Sequence, residues 1–203
     1  MSGVTRDARR QATRQAIVAA TAECLASVGY SSVRTRQIAQ AAGVAQGTVT
    51  HHFMSRDELM AEAVSYLIKR EVARIRAEFA GPRTETFTIE DALDVLWAAA
   101  TSPDGLAISH IWHAAWTDPR IAPVVRSLED EVFSAVVDTL SVALGSDGSL
   151  SREDEIAIDV VLSTVRGLVQ SIPARGLASV NARWAAAKPK LLTLAAAPQP
   201  RRS

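Results

Sequence analysis

The stretch TRQIAQAAGVAQGTVTHHF, Thr35 to Phe53, decides the fold, because it reads as two short helices joined by a tight turn. Ile38, Ala39 and Ala42 share one face of a first helix, and Gly43 stands where a left-handed C-cap residue would end it. Val44 is apolar just before a second helix, predicted from about Gln46 to His52, whose Val49 lies four residues from Phe53 on a common face. A small residue at Ala39, a turn glycine and then β-branched Val49 fit a helix-turn-helix, in which closely crossing helices leave room for only a methyl on the first. An ordinary helical hairpin of a bundle would need all three to coincide by chance, along with the surface described next.

The other face of the second helix is polar and uncharged: Gln46, Thr48, Thr50 and His51, with Gly47 allowing close approach. Glutamine can pair with adenine, and threonine offers a hydroxyl or a methyl to base edges. A merely soluble helix would more usually carry Glu and Lys. The reading is therefore of a helix that enters the major groove of duplex DNA, with Thr35 and Arg36 at the start of the preceding helix as further candidate contacts.

Composition agrees. At 203 residues, 48% hydrophobic and 5% aromatic, the chain can form one large or two small helical domains. No apolar run approaches the roughly 20 residues that span a bilayer, and MSGVTRDARRQATR lacks the apolar core of a signal peptide, so the expected location is cytoplasmic. The single Cys24, beside Leu25 and Val28, reads as a packed apolar residue. Net charge is zero, which argues against indiscriminate nucleic-acid binding, yet it is unevenly spread. Through Arg76, eleven Lys and Arg stand against six Asp and Glu, while the remainder holds eleven against sixteen. A basic front on an acidic back is what a local phosphate-binding face requires.

Upstream, Arg6, Arg9, Arg10 and Arg14 read as a mobile basic arm able to rest on phosphates or enter the minor groove, or simply to solubilise a frayed terminus. From about Thr13 to Ser27, Ile17, Cys24, Leu25 and Val28 make a helical stripe that Gly29 ends. After Phe53, Ser55 and Glu58 predict a capping box opening a long helix. Its stripe of Met60, Val64, Ile68, Val72, Ile75 and Phe79 continues to Gly81-Pro82. Such a helix would act as a lever between a reading domain and whatever follows. Arg56 in its first turn is placed to clamp a phosphate.

Gly29-Tyr30, Ile38-Ala39, Ala42-Gly43-Val44, Gly47-Thr48, His52-Phe53 and Leu59 together resemble the N-terminal domain of the TetR (tetracycline-repressor-like) family, over roughly residues 11 to 70. The resemblance implies an all-helical homodimer that binds a palindromic operator, usually as a repressor, and releases it when a small molecule enters the C-terminal domain. It also implies that Thr48 and His52 touch DNA and that Arg56 takes the place of a phosphate-contacting lysine. Three residues depart from the family pattern. Ala45 replaces the helix-opening Ser or Thr, Thr50 replaces a common Tyr, and Arg34 stands where a cap is usual. A lost cap costs about 1 kcal/mol locally.

The implied organisation is all-α, with a three-helix helix-turn-helix domain over 11–70, a helical effector-binding and dimerisation domain over 71–197, and a disordered tail over 198–203. Beyond Glu85 the resemblance is only architectural. Helices are predicted from about Thr88 to Thr101, from Pro103 (capped by Ser102) through Trp116, from Asp118-Pro119 to about Leu144, and, after the Gly145–Gly148 loop, from Ser151 to about Ile172. Trp97, His110, Trp112, His113 and Trp116 could wall a cavity for an apolar or aromatic effector, or the tryptophans could be plain core. His110-x-x-His113 offers only two ligands, too few for a zinc site, so no metal or other cofactor is expected. Two other readings stay open: an enzyme or carrier processing a small molecule around His110 and His113, and a DNA-binding activator or architectural protein with no effector.

The helix opened by Ser151 and Asp154 carries two stripes. Ile158, Val161, Val165, Leu168 and Ile172 would meet the chain's own core. Val160, Ser163, Thr164, Gly167 and Ser171, with small side chains, suit a second copy across a two-fold axis. A final helix, about Ser179 to Ala196 and kinked by Pro189, adds Val180, Trp184, Leu191 and Leu194, with Trp184 expected at the dimer seam.

Overall fold

Amphipathic stripes of 3.6-residue period, punctuated by capping residues, give ten α-helices among the residues described by the computed structural model, 2–79, 88–143 and 151–195. In chain order they are α1 (Ser2–Val28), α2 (Thr35–Ala41), α3 (Gln46–His52), α4 (Arg56–Phe79), α5 (Ile89–Ala100), α6 (Pro103–Thr117), α7 (Ala122–Ala143), α8 (Arg152–Gln170), α9 (Ile172–Arg175) and α10 (Leu177–Ala195). Two 3₁₀ turns, Tyr30–Ser32 and Pro119–Ile121, link α1 to α2 and α6 to α7. The described residues contain no β-strand. Gly81-Pro82, the Gly145–Gly148 loop and the 198–203 tail lie outside them.

The chain divides into two compact units, one made of Met1–Arg70 with Leu106–Leu128, the other of Glu71–Gly105 with Glu129–Ser203. α4 runs through the division between Arg70 and Glu71. Leu106–Leu128 clusters with the first unit. There Ala107, Ile111 and Ala114 bury one face of α6 at helical spacing.

In the first unit, α2 packs on both α1 and α3. α1 begins at Ser2, so Arg6, Arg9, Arg10 and Arg14 stand on a helix and not on the expected arm. Their region has no Gly or Pro breaker beyond Gly3, and Ile17, Val18, Leu25 and Thr21 behind it are buried to hold the helix down. Cys24 is buried, and burial, then Glu23, pushes its thiol up, which suits an inert packed residue. The predicted α4 stripe is buried from Met60 through Ile75; the Phe79 side chain lies outside the described set.

In the second unit, α5, α8 and α10 pack against one another. Thr88 and Asp91 close a capping box on α5, and Ser151 and Asp154 close one on α8. The buried α8 stripe is Ile158, Val161, Val165 and Val169. Leu168 is only half-buried, because the helical period carries the inward face to Val169, and α8 ends before Ile172, which opens the separate turn α9 ahead of Pro173. α10 likewise starts at Leu177, directly after Gly176; Leu194's side chain is outside the described set. Trp184, expected at a seam between copies, is instead 4% exposed. It stacks on Trp97 with ring centroids 4.8 Å apart and planes 7° from parallel. Lys188 ties α10 to α5 by 2.9 Å to Glu90 and 2.7 Å to Asp94.

Between α5 and α6 the chain turns in two residues, Thr101 and Ser102, with the Ser102 hydroxyl accepting from Gly105 N–H at 3.0 Å. A Cβ on Gly105 would lie 2.2 Å from the Ala99 carbonyl oxygen and 2.6 Å from that of Ala100, both backbone atoms unable to step aside. Gly105→Ala should therefore lower stability by about 1–3 kcal/mol. The check is a fall in the urea midpoint at unchanged slope; an unmoved midpoint would mean the corner yields.

Candidate nucleic-acid interface

α3 has seven residues, too few to be helical alone, so its geometry is imposed from outside. Val49 is 2% exposed and Phe53 4%, and these anchor it to the first unit. Ala39 on α2 is buried opposite, the methyl that close crossing demands. The turn between the helices is a Schellman closure: Val44 N–H donates to the Ala39 carbonyl at 3.0 Å and Gly43 N–H to that of Gln40 at 3.2 Å. Gly43 has φ +66°, a conformation that costs other residues about 1–2 kcal/mol.

The departures from the usual capping pattern resolve differently at the two helices. At α2, Gln37 reaches back and accepts from Arg34 N–H at 2.8 Å, so half of a capping box survives without a Ser or Thr. Arg34 itself donates to the Ser31 carbonyl at 2.9 Å. At α3, Ala45 gives no side-chain cap. At α4, the Ser55 hydroxyl accepts from Glu58 N–H at 3.1 Å as predicted. Glu58 returns its carboxylate to Met54 N–H at 2.8 Å, one residue short of a closed box.

What faces outward on α3 is Gln46, Gly47, Thr50 and His51, all exposed, with Thr48 and His52 half-exposed. A Cβ built on Gly47 meets nothing within 4 Å, so packing within the chain does not require glycine there. The Thr50 hydroxyl donates to the Gly47 carbonyl at 3.0 Å. His51 and His52 meet edge to face with centroids 5.8 Å apart. On α2, Arg36 is exposed and Thr35 half-buried.

Sequence reasoning did not anticipate the role of Arg14. It pairs with Glu58 at 3.2 Å and with Glu62, and its guanidinium carbon lies 4.2 Å from the Phe53 ring centroid. One arginine thus joins α1, the last anchor of α3 and the first turns of α4. The signal that could have found it was an arginine at helical spacing from buried Ile17 and Val18, beside a two-carboxylate face on α4. Arg56 is exposed at the start of α4, donating to the Tyr30 carbonyl at 2.7 Å with its guanidinium 5.2 Å from the Tyr30 ring centroid.

The tryptophan and histidine residues expected to wall one cavity fall in both units. Trp97, in the second unit, is taken up by Trp184 and donates from its indole nitrogen to Asn181 at 3.1 Å. The others lie on α6 in the first unit, where Trp116 is 88% exposed, Trp112 half-buried, and His113 bonded to the Ser109 carbonyl at 3.1 Å. The His110 ring stands 3.8 Å from the Cβ position of Gly29. On α8, Val160, Ser163 and Gly167 are exposed, while Thr164 and Ser171 are half-buried with hydroxyls turned back to the Val160 and Leu168 carbonyls. Among the described residues no group of three His, Cys, Asp or Glu is placed to hold a metal ion, and no helix is long and apolar enough to cross a membrane.

Residues 17–63 match the sequence profile of bacterial regulatory proteins, tetR family. Over 167 residues the chain is 30% identical to the HTH-type transcriptional regulator CymR of Pseudomonas putida, with 81% of each chain covered. A transcriptional regulator from Rhodococcus sp. Rha1 has a similar fold, at a TM-score of 0.67 and 22% identity over 89% of this chain and 95% of that one. So does the multidrug binding protein EbrR, solved in complex with ethidium, at a TM-score of 0.65 and 20% identity over 90% and 98% of the two chains. At such identities the two solved structures speak for the fold alone.

Burial, then His51, Arg10 and Arg14, holds the His52 imidazole below the ordinary histidine value. The unfolded chain therefore binds this proton more readily than the folded one, and the fold loses stability as pH falls through the histidine range while keeping it above. The melting midpoint of the wild type should drop more between about pH 7.5 and about pH 5.5 than that of His52→Gln. Parallel pH profiles for the two proteins would remove His52 from the account.

Proposed function

The chain belongs to the tetR family of bacterial regulatory proteins, as a DNA-binding transcriptional regulator and not an enzyme, and from that premise we propose that it is a repressor. In this reading a homodimer holds a palindromic operator and releases it when a small molecule binds. The observation that carries the reading is the uncommitted outer face of α3. Val49 and Phe53 bury the helix, and Gln46, Gly47, Thr48, Thr50 and His51 have no structural duty that would require them to be polar and uncharged. Thr35, Arg36 and His52 flank that face, and Arg56 stands beside it as the phosphate contact.

Dimerisation fixes the separation of the two α3 helices, which must meet major-groove faces roughly 34–36 Å apart, or a related multiple. The outward face of α8 suits this role, with Val160 at 40% exposure and the small residues Ser163 and Gly167 exposed beside it. An effector that favours another separation lowers affinity only through its own difference in affinity for the two states. The usual coupling of about 1–3 kcal/mol corresponds to roughly 5- to 150-fold weaker binding. α4, continuous through the unit boundary, is the natural carrier of that coupling.

An apolar or aromatic effector is supported by the aromatic side chains of α6 and by EbrR, whose complex contains ethidium. A regulator without an effector is the second reading, favoured by the commitment of Trp97 to Trp184 and Asn181. A gel shift with the DNA flanking the protein's own coding region, repeated with a panel of aromatic compounds, separates the two.

Thr48→Ala should lose discrimination at particular base pairs, whereas Arg56→Ala should weaken all sequences alike and reduce the salt slope by about one per half-site. Equal losses on selected and random duplexes for Thr48→Ala would sink the base-reading role. For assembly, Gly167→Leu is diagnostic because a Cβ there meets nothing within 4 Å in the single chain. Sedimentation should show a dimer for the wild type and a 21.7 kDa species for the variant, with helical content retained.

A further inference from the structure

A threonine hydroxyl carries one proton, and at Thr50 that proton is spent on the Gly47 carbonyl, 3.0 Å away one turn earlier. A phosphate oxygen needs a donor, so Thr50 in this conformation has nothing to give it, unlike the tyrosine that the family pattern would place there. With Oγ1 turned back to the backbone, staggering about the Cα–Cβ bond leaves the Cγ2 methyl as the group free to meet a partner. Thr50 is exposed, and the position three residues before it on the same face is Gly47, where even a Cβ would stand in open space. A methyl bordered by a gap is a seat for another small apolar group. Of the groups displayed in the major groove, only the 5-methyl of thymine is apolar.

We propose that Thr50 is a specificity-determining residue that selects thymine by methyl-to-methyl contact, with Gly47 providing the clearance. The proposal rests on the reading that α3 lies in the major groove.

The preferred duplex is first selected from random sequence with the full-length protein. Each thymine of a half-site is then replaced symmetrically by uracil, which lacks only the 5-methyl. Binding is followed by fluorescence anisotropy for the wild type, Thr50→Val, which keeps a methyl and loses the hydroxyl, and Thr50→Ser, which does the reverse. Melting curves establish that both variants fold. At one thymine of the half-site, uracil should weaken the wild type by about fourfold per methyl lost, and so by about 15-fold for the symmetric pair. Thr50→Val should retain both affinity and uracil sensitivity, and Thr50→Ser should bind more weakly and no longer distinguish the two bases. If Thr50→Ser binds like the wild type while Thr50→Val fails, the hydroxyl is the contact and the proposal is overturned. A selective duplex with no uracil-sensitive position overturns it as well, leaving the major-groove reading intact. Selection that returns no preferred duplex removes that reading and the proposal with it.

Discussion

The structure depends on holding a seven-residue helix that cannot hold itself. Isolated helices shorter than about 12 residues are marginal in water, and α3 lacks even a side-chain cap at Ala45. Val49 and Phe53 supply what local propensity does not, each worth about 1.5–3 kcal/mol when buried. With both anchors on one side and Gly43 fixing the entry, the orientation of every other α3 side chain follows. Gln46, Thr48, Thr50 and His51 face outward because the anchors leave them no alternative. The same constraint gives Arg14 its importance: it closes over Phe53 while pairing with Glu58 and Glu62, so the end of α3 and the start of α4 are fixed by one group.

The second unit uses large side chains for a different purpose. A nearly parallel Trp97–Trp184 stack joins α5 to α10, and Lys188 with Glu90 and Asp94 joins them again one turn on. The exposed ion pair adds little to stability; the buried indole carries most of the attachment. Trp184 turned inward leaves the outer side of α8 to small side chains. Thr164 and Ser171 there satisfy their own hydroxyls against the helix backbone, which lowers the cost of covering that face with another surface.

Short-range chemistry was legible in the sequence and side-chain convergence was not. The turn at Gly43, the span Gln46–His52, the Thr88 and Ser151 caps and the buried stripe of α4 all follow from spacings of three or four residues, which the chain carries explicitly. Trp97 and Trp184 are 87 positions apart, and no local pattern says that they stack. The same reason hid the Arg14 cluster, whose carboxylates lie 44 and 48 positions away. The N-terminal arginines misled because their spacers looked polar, although α1 continues through them on the strength of the packing behind. At α8, a five-member stripe ran past the helix end because Pro173 has no N–H to continue the i→i−4 ladder, so α8 stops at Gln170 and Ile172 opens a separate turn.

These contacts also change what the basic front means. Of its eleven cations, Arg14, Arg70, Arg74 and Arg76 are engaged with carboxylates of the chain, whereas Arg34 and Arg56 each donate to a backbone carbonyl and keep their charge. The charge count of the sequence therefore overstates what is available to phosphates, since internal pairing consumes it first. Arg9 and Arg10 on α1 and Arg36 on α2 are exposed and can contribute long-range attraction. With general attraction so reduced, discrimination in the proposed reading is left to the uncharged surface of α3, since hydrogen bonds and apolar contacts to base edges, not phosphate contacts, carry sequence information. A chain of zero net charge, part of whose basic front is paired internally, gains less from arbitrary duplex, and that is the condition under which a short polar helix can set the choice of site.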